Sequence, residues 1–196
     1  MISDRNRFEA TIEAIDEANS QDPNLELHNG ENIAKELLYS QRMTETLFQY
    51  DQDPDEALQL AARGQHIKRW TIPRDEYPMD RKGYLRWRTK LKLMHANLIE
   101  AIMKEQGYET AAIDKVKLLI NKNKLKTDLP SQQLEDVVCL VFLQYYFSDF
   151  YQKHDDEKVI SILQKTWGKM TQKGRDMALN IQFDEKGKQL IGKALG

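Results

Sequence analysis

The stretch LEDVVCLVFLQYYFSDFY, residues 134–151, is apolar on nearly every side from Val137 onward. A helix that is apolar all round is buried, because a helix at the surface keeps one polar face. Cys139 lies inside this run, where a small thiol packs like an apolar side chain. The stretch therefore predicts the central buried helix of a helical domain.

Amphipathic patterns on both sides of this central helix predict an all-α protein. Phe8, Ile12 and Ile15 form the apolar stripe of a first helix, and no stretch shows the alternation of a strand. Asp80 can cap a long fourth helix, which Gly107 can end. Further helices are predicted at about 31–50, 53–66, 110–121, 155–166 and 171–182. We expect a single compact domain over 1–183 and a frayed tail over 184–196.

The composition limits what this protein can bind. The 196 residues carry a formal net charge of −2, so an anion site must come from local clustering of cations. The single cysteine excludes an internal disulfide, which suits a reducing cytosol. No signal peptide is apparent, and no run reaches the roughly 18 apolar residues of a membrane helix. We expect a cytoplasmic protein with no membrane partner.

A second stretch, AARGQHIKRWTIPRDEYPMDRKGYLRWRTKLK over 61–92, concentrates positive charge. It holds ten Lys or Arg residues against three acidic residues, with two tryptophans and two tyrosines between them. Guanidinium groups grip phosphate oxygens and aromatic rings stack on bases, so the pattern favours an anionic, planar ligand. Stacking of arginine on tryptophan within the fold explains the pattern equally well. The candidate substrate-binding residues are Lys68, Arg69, Arg86, Arg88 and Lys90.

Three polar residues near or on apolar helix faces could form a metal site. His95 continues the apolar stripe that includes Leu91, so it faces the core. Asp136 shares a face with Leu140, and a carboxylate there needs a partner because an unpaired buried charge is costly. With His66 these residues could converge on a divalent metal. A core histidine that is satisfied by a backbone carbonyl is the commoner alternative.

Several strings of the chain also occur together in a known family. They are ELLYSQRMTETL (36–47), the segment 61–96, LKTD (125–128), LEDVVCLVFLQ (134–144) and KTWGKM (165–170). These strings resemble the domain-of-unknown-function family numbered 4202, and the resemblance extends over nearly the whole chain. That family has no assigned activity, so the resemblance implies none for this sequence.

A more distant resemblance suggests a mechanism. The segments YSQR (39–42) and AARGQH (61–66) are followed by His95 and Asp136. This order resembles the His-Asp (HD) superfamily of metal-dependent phosphohydrolases. In that superfamily a His precedes Ser-x-Arg, a second helix ends in Ala-Ala-x-x-His-Asp, and a further His and Asp follow.

Two superfamily ligands are missing from this chain and one is replaced. Tyr39 stands where the first ligand His would be, Gln65 stands in place of the second His, and His66 replaces the Asp of the doublet. The order and the helical context match better than the residues do. Such a loss of ligands is also what a binding protein descended from an enzyme would show.

The HD resemblance implies an all-α fold and a divalent metal held by His66, His95 and Asp136. Two imidazole ligands favour Mn²⁺, Fe²⁺ or Zn²⁺. Glu135 is the nearest catalytic candidate to accept a proton, although a first-turn carboxylate that interacts with the helix dipole is an equally good interpretation.

The predicted function is a divalent-metal-dependent phosphohydrolase that acts on a small phosphorylated molecule such as a nucleotide. The alternative, from a different class, is a non-catalytic nucleotide- or RNA-binding module that has lost the HD catalytic site.

Overall fold

The computed structural model describes residues 2–122 and 127–196. The chain forms two compact units, Met1–Lys124 and Leu125–Gly196, where the sequence predicts one domain over 1–183. The described residues are mostly helical, as predicted. None of their helices is long and apolar enough to cross a lipid bilayer.

The first unit holds five α-helices and one β-hairpin. The helices are α1 (Arg5–Ser20), α2 (Lys35–Tyr50), α3 (Glu56–Gly64), α4 (Arg81–Glu105) and α5 (Thr110–Asn121). Between α1 and α2, strands β1 (Leu25–His28) and β2 (Glu31–Ala34) pair antiparallel. Two short 3₁₀ turns, Arg69–Thr71 and Arg74–Glu76, lie in the connection from α3 to α4.

The hairpin corrects the prediction that this region contains no strand and that the second helix begins near residue 31. Asn29 and Gly30 both have positive φ, 52° and 87°, at the turn between the strands. Positive φ at both central residues is the geometry of a type I′ turn, whose twist suits two antiparallel strands. The Asn-Gly pair was therefore a hairpin signal, and α2 begins only at Lys35.

Local signals set both predicted ends of α4. The Asp80 carboxylate accepts a hydrogen bond from the Gly83 N–H at 2.6 Å, so the helix starts after Asp80. At the other end Gly107 has a φ of 76°, a backbone conformation that glycine adopts readily and that residues with a Cβ atom rarely adopt. Both boundaries agree with the sequence prediction, as do the bounds of α5.

The core of the first unit brings α3 close to α4. A Cβ atom added at Gly64 would lie 2.3 Å from the Cδ1 atom of Ile99, so only a glycine permits this approach. Ile67 and Ile99 are fully buried at this junction. Burying a side chain of this size stabilises the fold by about 1.5–3 kcal/mol. The close approach fixes the turn after α3, which carries His66.

The second unit is built from five α-helices. They are α6 (Leu129–Val141), α7 (Phe147–Gln152), α8 (Asp156–Trp167), α9 (Gln172–Leu179) and α10 (Glu185–Leu195). A π-helical turn, Phe142–Tyr146, joins α6 to α7. Cys139 is buried on α6, as predicted.

The predicted frayed tail is instead helix α10. The Asp184 carboxylate caps this helix by accepting from the Gly187 N–H at 2.7 Å. Leu190, in the middle of the helix, is fully buried. A helix of this length is marginal alone, so its packing against its own unit through Leu190 is what stabilises it.

Candidate functional site

The turn after α3 presents His66 towards residues of α2 and α4. Lys68, which ends this turn, has a φ of 50°, an uncommon conformation for a residue with a side chain. Its N–H donates to the side-chain oxygen of Asn19 at 3.0 Å, and Asn19 is fully buried on α1. A side chain from another helix therefore holds the turn in place.

Three rings from different parts of the first unit meet at this turn. The Tyr39 ring stacks on the His66 ring with centroids 4.0 Å apart and planes 12° apart. The His95 ring belongs to α4, and its centroid lies 5.9 Å from that of His66. Tyr39, His66 and His95 are three of the positions that the HD resemblance named, and the fold brings them together.

His95 faces the core, as its place on the apolar stripe predicted. It is 3% exposed, and its Nδ1–H donates to the Ile67 carbonyl oxygen at 2.8 Å. Because a carbonyl can only accept, the neutral ring keeps its lone pair on Nε2. Burial, followed by the neighbouring His66, lowers the pKa of His95 to about 3. His95 is therefore neutral at physiological pH.

Glu36, a residue that sequence reasoning missed, completes the cluster. Its Oε2 atom lies 3.5 Å from His66 Nδ1, and its Oε1 atom lies 3.9 Å from the Arg69 guanidinium. Burial is the main cause that raises the pKa of Glu36 to about 7, and Asp22 raises it further while Arg69 lowers it. Glu36 precedes Tyr39 by three residues, so helical spacing could have placed both on one face.

The His66 imidazole is also neutral. Burial lowers its pKa well below 6.5, and the charges of Arg69, Arg88 and Lys122 lower it further. A neutral ring can donate from one nitrogen and accept at the other, and the Nδ1 contact with Glu36 decides which. The cluster therefore combines two uncharged imidazoles with a carboxyl group that titrates near neutral pH.

Cationic side chains surround these imidazoles in a small cleft. The cleft has a volume of about 20 Å³. This volume accommodates about one water-sized group. Its lining residues are Gln65, His66, Arg69, Arg88, Leu91, Lys92, His95, Ile120 and Lys122. Within the described chain, the cleft thus gathers four cations from three separate segments.

Gln65 brings an unsatisfied atom to the cleft. The residue is 6% exposed, and its buried Oε1 atom has no hydrogen-bond partner among the described residues. A buried acceptor without a donor costs about 1–3 kcal/mol. Gln65 occupies the position that the HD resemblance assigns to a ligand His, so an unsatisfied buried atom lies at that position.

Only part of the predicted basic cluster lines the cleft. Arg69 and Arg88 do, whereas Lys68, Arg86 and Lys90 are absent from the lining. Arg86 and Lys90 are exposed on α4, four residues apart and on a different flank of the helix from Arg88. Lys122, which follows α5, also lines the cleft.

The stacking interpretation of the tryptophans also has support. The Arg69 guanidinium lies 5.0 Å from the centroid of the Trp87 ring, within the range of a cation–π contact. The Trp87 Nε1–H donates to the Ile72 carbonyl oxygen at 2.9 Å, and the ring is buried. Trp87 therefore positions Arg69 from within the fold, and its ring is not available to stack on a base.

The two predicted carboxylates of the second unit hold that unit together. Asp136 is fully buried, its Oδ1 accepts from the Thr171 N–H at 2.9 Å, and its Oδ2 accepts from the Thr171 hydroxyl. A Cβ added at Gly174 would lie 2.7 Å from the Asp136 Cγ. Glu135 is 3% exposed and lies 3.4 Å from the Lys169 ammonium. Asp136 has thus found the partner that its burial required.

The described residues show no preformed metal centre. Across residues 2–122 and 127–196, no group of three or more His, Cys, Asp or Glu side chains is arranged to hold a metal ion. The HD resemblance would require ligands at Tyr39 and Gln65, and both oxygens of Asp136 are engaged by Thr171. We therefore derive no chemical step from a metal.

Comparison with known proteins places the chain in a family. The model of the family described as Domain of unknown function (DUF4202) matches residues 9–191, so the chain belongs to that family. Neither a curated protein nor a solved structure matches the chain. The site is therefore interpreted from its own residues.

Proposed function

We propose that this member of the DUF4202 family binds the phosphate group of a small phosphorylated molecule at the cleft of its first unit, with one phosphoryl oxygen inside the cleft. The observation that carries the proposal is the convergence of Arg69, Arg88, Lys92 and Lys122 on two neutral imidazoles. Guanidinium and ammonium groups supply charge-assisted donors to phosphate oxygens, and a neutral imidazole can add a further donor.

The size of the cleft limits what enters it. A volume of about 20 Å³ admits one water-sized group, such as a single phosphoryl oxygen. A whole nucleotide would not fit, so the rest of the ligand would lie outside the cleft.

Glu36 makes the charge of the cleft depend on pH. With a pKa of about 7, its carboxyl is mostly neutral in mildly acidic solution and becomes an anion above neutrality. An anion beside His66 would repel phosphate. The proposal therefore includes tighter phosphate binding below pH 7 than above it.

Isothermal titration with inorganic phosphate, pyrophosphate and AMP tests the proposal. We expect saturable binding that weakens by about 30-fold in Arg88→Ala, because a charge-assisted hydrogen bond is worth about 2 kcal/mol. Arg86→Ala is the matched control, since it removes an arginine two residues away on the same helix that does not line the cleft. The control should bind within about twofold of wild type.

The same pair of variants separates this function from RNA binding. A surface that follows an RNA backbone would use both arginines, so both variants would weaken RNA affinity similarly and with a steep salt dependence. Equal losses in the two variants, or no saturable binding of any of the three phosphates, would refute the cleft as a small-phosphate site.

Metal-dependent phosphohydrolysis is the second candidate, and one observation favours it. The hydrogen bond from His95 Nδ1 to the Ile67 carbonyl fixes the tautomer in the way that the outer partners of metal-ligating histidines do. Elemental analysis after incubation with Mn²⁺, Fe²⁺ or Zn²⁺, compared between wild type and His95→Ala, tests this candidate. Phosphate release from nucleotides then separates an enzyme from a metal-bound binding protein.

A further inference from the structure

The second unit contains a cavity much larger than the cleft of the first. Its volume is about 390 Å³, and its walls come from the π-helical turn, α8, α9, α10 and residues 181–183. Pockets that hold small molecules have volumes of about 300–1,000 Å³. Protein interiors otherwise pack densely, so an opening of this size in a unit of some 70 residues needs a reason.

Two backbone features lie in the wall of the cavity. Leu143, which lines it, belongs to the π-helical turn, and such turns in α-helices occur frequently at functional sites. Gly192 of α10 also lines it, and a Cβ added there would meet no atom within 4 Å. The helix α10 is anchored by buried Leu190 and still leaves this space unfilled.

The lining is mostly apolar, with one ionisable group. Lys188 is the single charged residue of the lining, and its ammonium lies 2.8 Å from the exposed Glu185 carboxylate. Thr166, a polar lining residue, already donates its hydroxyl to the Ile162 carbonyl at 2.9 Å. The Thr166 hydroxyl therefore needs no hydrogen bond from a ligand, whereas the Lys188 ammonium can form an ion pair with an anionic ligand.

Apolar side chains also extend to the surface of this cavity. Leu179 is 63% exposed and Leu195 is 38% exposed, and both line it. Leucines next to an open apolar cavity form a continuous apolar patch, and such patches mark binding sites. A ligand with an apolar body would cover both residues.

We propose that this cavity binds a medium-length acyl chain whose carboxylate lies beside Lys188. The volume sets the size of the apolar body, the lining sets its character, and the single cation sets the position and charge of its polar end. The acyl chain can be that of a free fatty acid or of a larger acylated molecule. This site involves residues of the second unit alone and does not depend on the proposed phosphate site.

Titration of the full-length chain with octanoate, decanoate and dodecanoate, below their micelle concentrations, tests the proposal. Each added methylene should tighten binding about fourfold until the cavity is full. The readout is the indole N–H signals of the three tryptophans in a ¹⁵N correlation spectrum. Trp167 lines the cavity, so its signal should shift, while Trp70 and Trp87 of the first unit serve as internal controls.

Two sets of variants locate the ligand. Gly192→Leu should obstruct part of the cavity and strongly weaken the shift, whereas Gly192→Ala adds one methyl group at the same place and should keep binding within about threefold. Lys188→Ala should weaken decanoate by about tenfold and leave decanol unchanged, because only the carboxylate uses the ammonium.

Four results would overturn the proposal. They are the absence of a saturable Trp167 shift with any of the acids, wild-type binding in Gly192→Leu, equal effects of Lys188→Ala on acid and alcohol, and a Trp167 shift that follows protein concentration in place of ligand. The last result would assign the cavity to a second copy of this chain. If acyl binding fails while phosphate binding is observed, the proposed function of the first unit is unaffected.

Discussion

The cleft of the first unit and the cavity of the second differ in both size and lining. The cleft has about 20 Å³ and is lined by cations and imidazoles, whereas the cavity has about 390 Å³ and a mostly apolar lining. Polar groups in a small cleft select a ligand by the charge and hydrogen-bonding capacity of individual atoms. An apolar cavity selects a ligand by its volume. Each unit therefore offers a different kind of recognition, and the difference can be tested by substitution.

The largest expected effect concerns Asp136, the carboxylate that the sequence predicted as a metal ligand. Asp136→Ala should lower the free energy of unfolding by about 4 kcal/mol, since two hydrogen bonds to Thr171 lose their charged acceptor. Urea denaturation measures this loss. Asp149→Ala on α7 is an exposed control and should change stability by less than about 0.5 kcal/mol. A small loss in Asp136→Ala would return this residue to the list of site candidates.

A slightly smaller effect is expected for the pH dependence of stability, to which Glu36 and His95 of the first unit contribute. The folded-state pKa of Glu36 is about 7 against 4.5 in the unfolded chain, so its contribution to stability falls as pH rises through this window. His95 acts in the opposite sense, because its pKa is lowered from 6.5 to about 3 and its contribution rises with pH between these values. Because these two contributions change in opposite senses between pH 4.5 and 6.5, their sum should be greatest over a broad range between these values and should fall above it.

Glu36→Gln isolates the first of these two effects. Between pH 4 and pH 8 the difference in unfolding free energy between wild type and the variant should change by about 3 kcal/mol, in favour of the variant at high pH. Denaturation at several pH values measures it. A difference that does not depend on pH would show that the Glu36 carboxyl is better solvated than its burial indicates.

Filling the cavity should have a moderate and opposite effect. Gly192→Leu should raise the free energy of unfolding by about 1–2 kcal/mol, because it replaces a helical glycine and adds apolar contact in open space. Thermal unfolding of the variant and of Gly192→Ala gives the two contributions separately. Destabilisation by leucine alone would mean that the space is occupied or closes in solution.

The smallest expected effect tests geometry within the cleft. Arg88→Lys keeps the charge and loses the planar fork, so phosphate affinity should fall about fivefold, close to 1 kcal/mol. Titration with inorganic phosphate measures the change. Wild-type affinity in this variant would show that the cleft uses Arg88 as a point charge only.

The sequence predicted the elements whose signals are local. The helix α4 begins after Asp80 and ends before Gly107, because a cap and a left-handed glycine act within a few residues. The apolar stripe through Leu91 likewise predicted that His95 faces the core. The hairpin has an equally local signal in Asn29-Gly30, although its strands of four residues are too short for a long alternating pattern.

Other features depend on neighbours that are distant in the chain. Glu36 looks like an ordinary first-turn acid until His66 and Arg69 are placed against it. The π-helical turn has no residue signature in the apolar run that contains it, so the cavity beside Leu143 was not predictable either. Arg86 and Arg88 look equivalent in sequence, and only the orientation of α4 separates them.

Lys68 and Lys122 share a backbone conformation whose consequence reaches beyond this one chain. Their φ values are 50° and 55°, and an L-residue in this region gives up about 1–2 kcal/mol relative to glycine. Lys68 ends the turn that carries His66, and Lys122 lines the cleft itself. Selection for thermal robustness alone would drive both positions towards glycine, whereas selection for an anionic ligand would keep the cation at 122. The residue at that position in other family members therefore indicates whether stability or anion binding was selected in them.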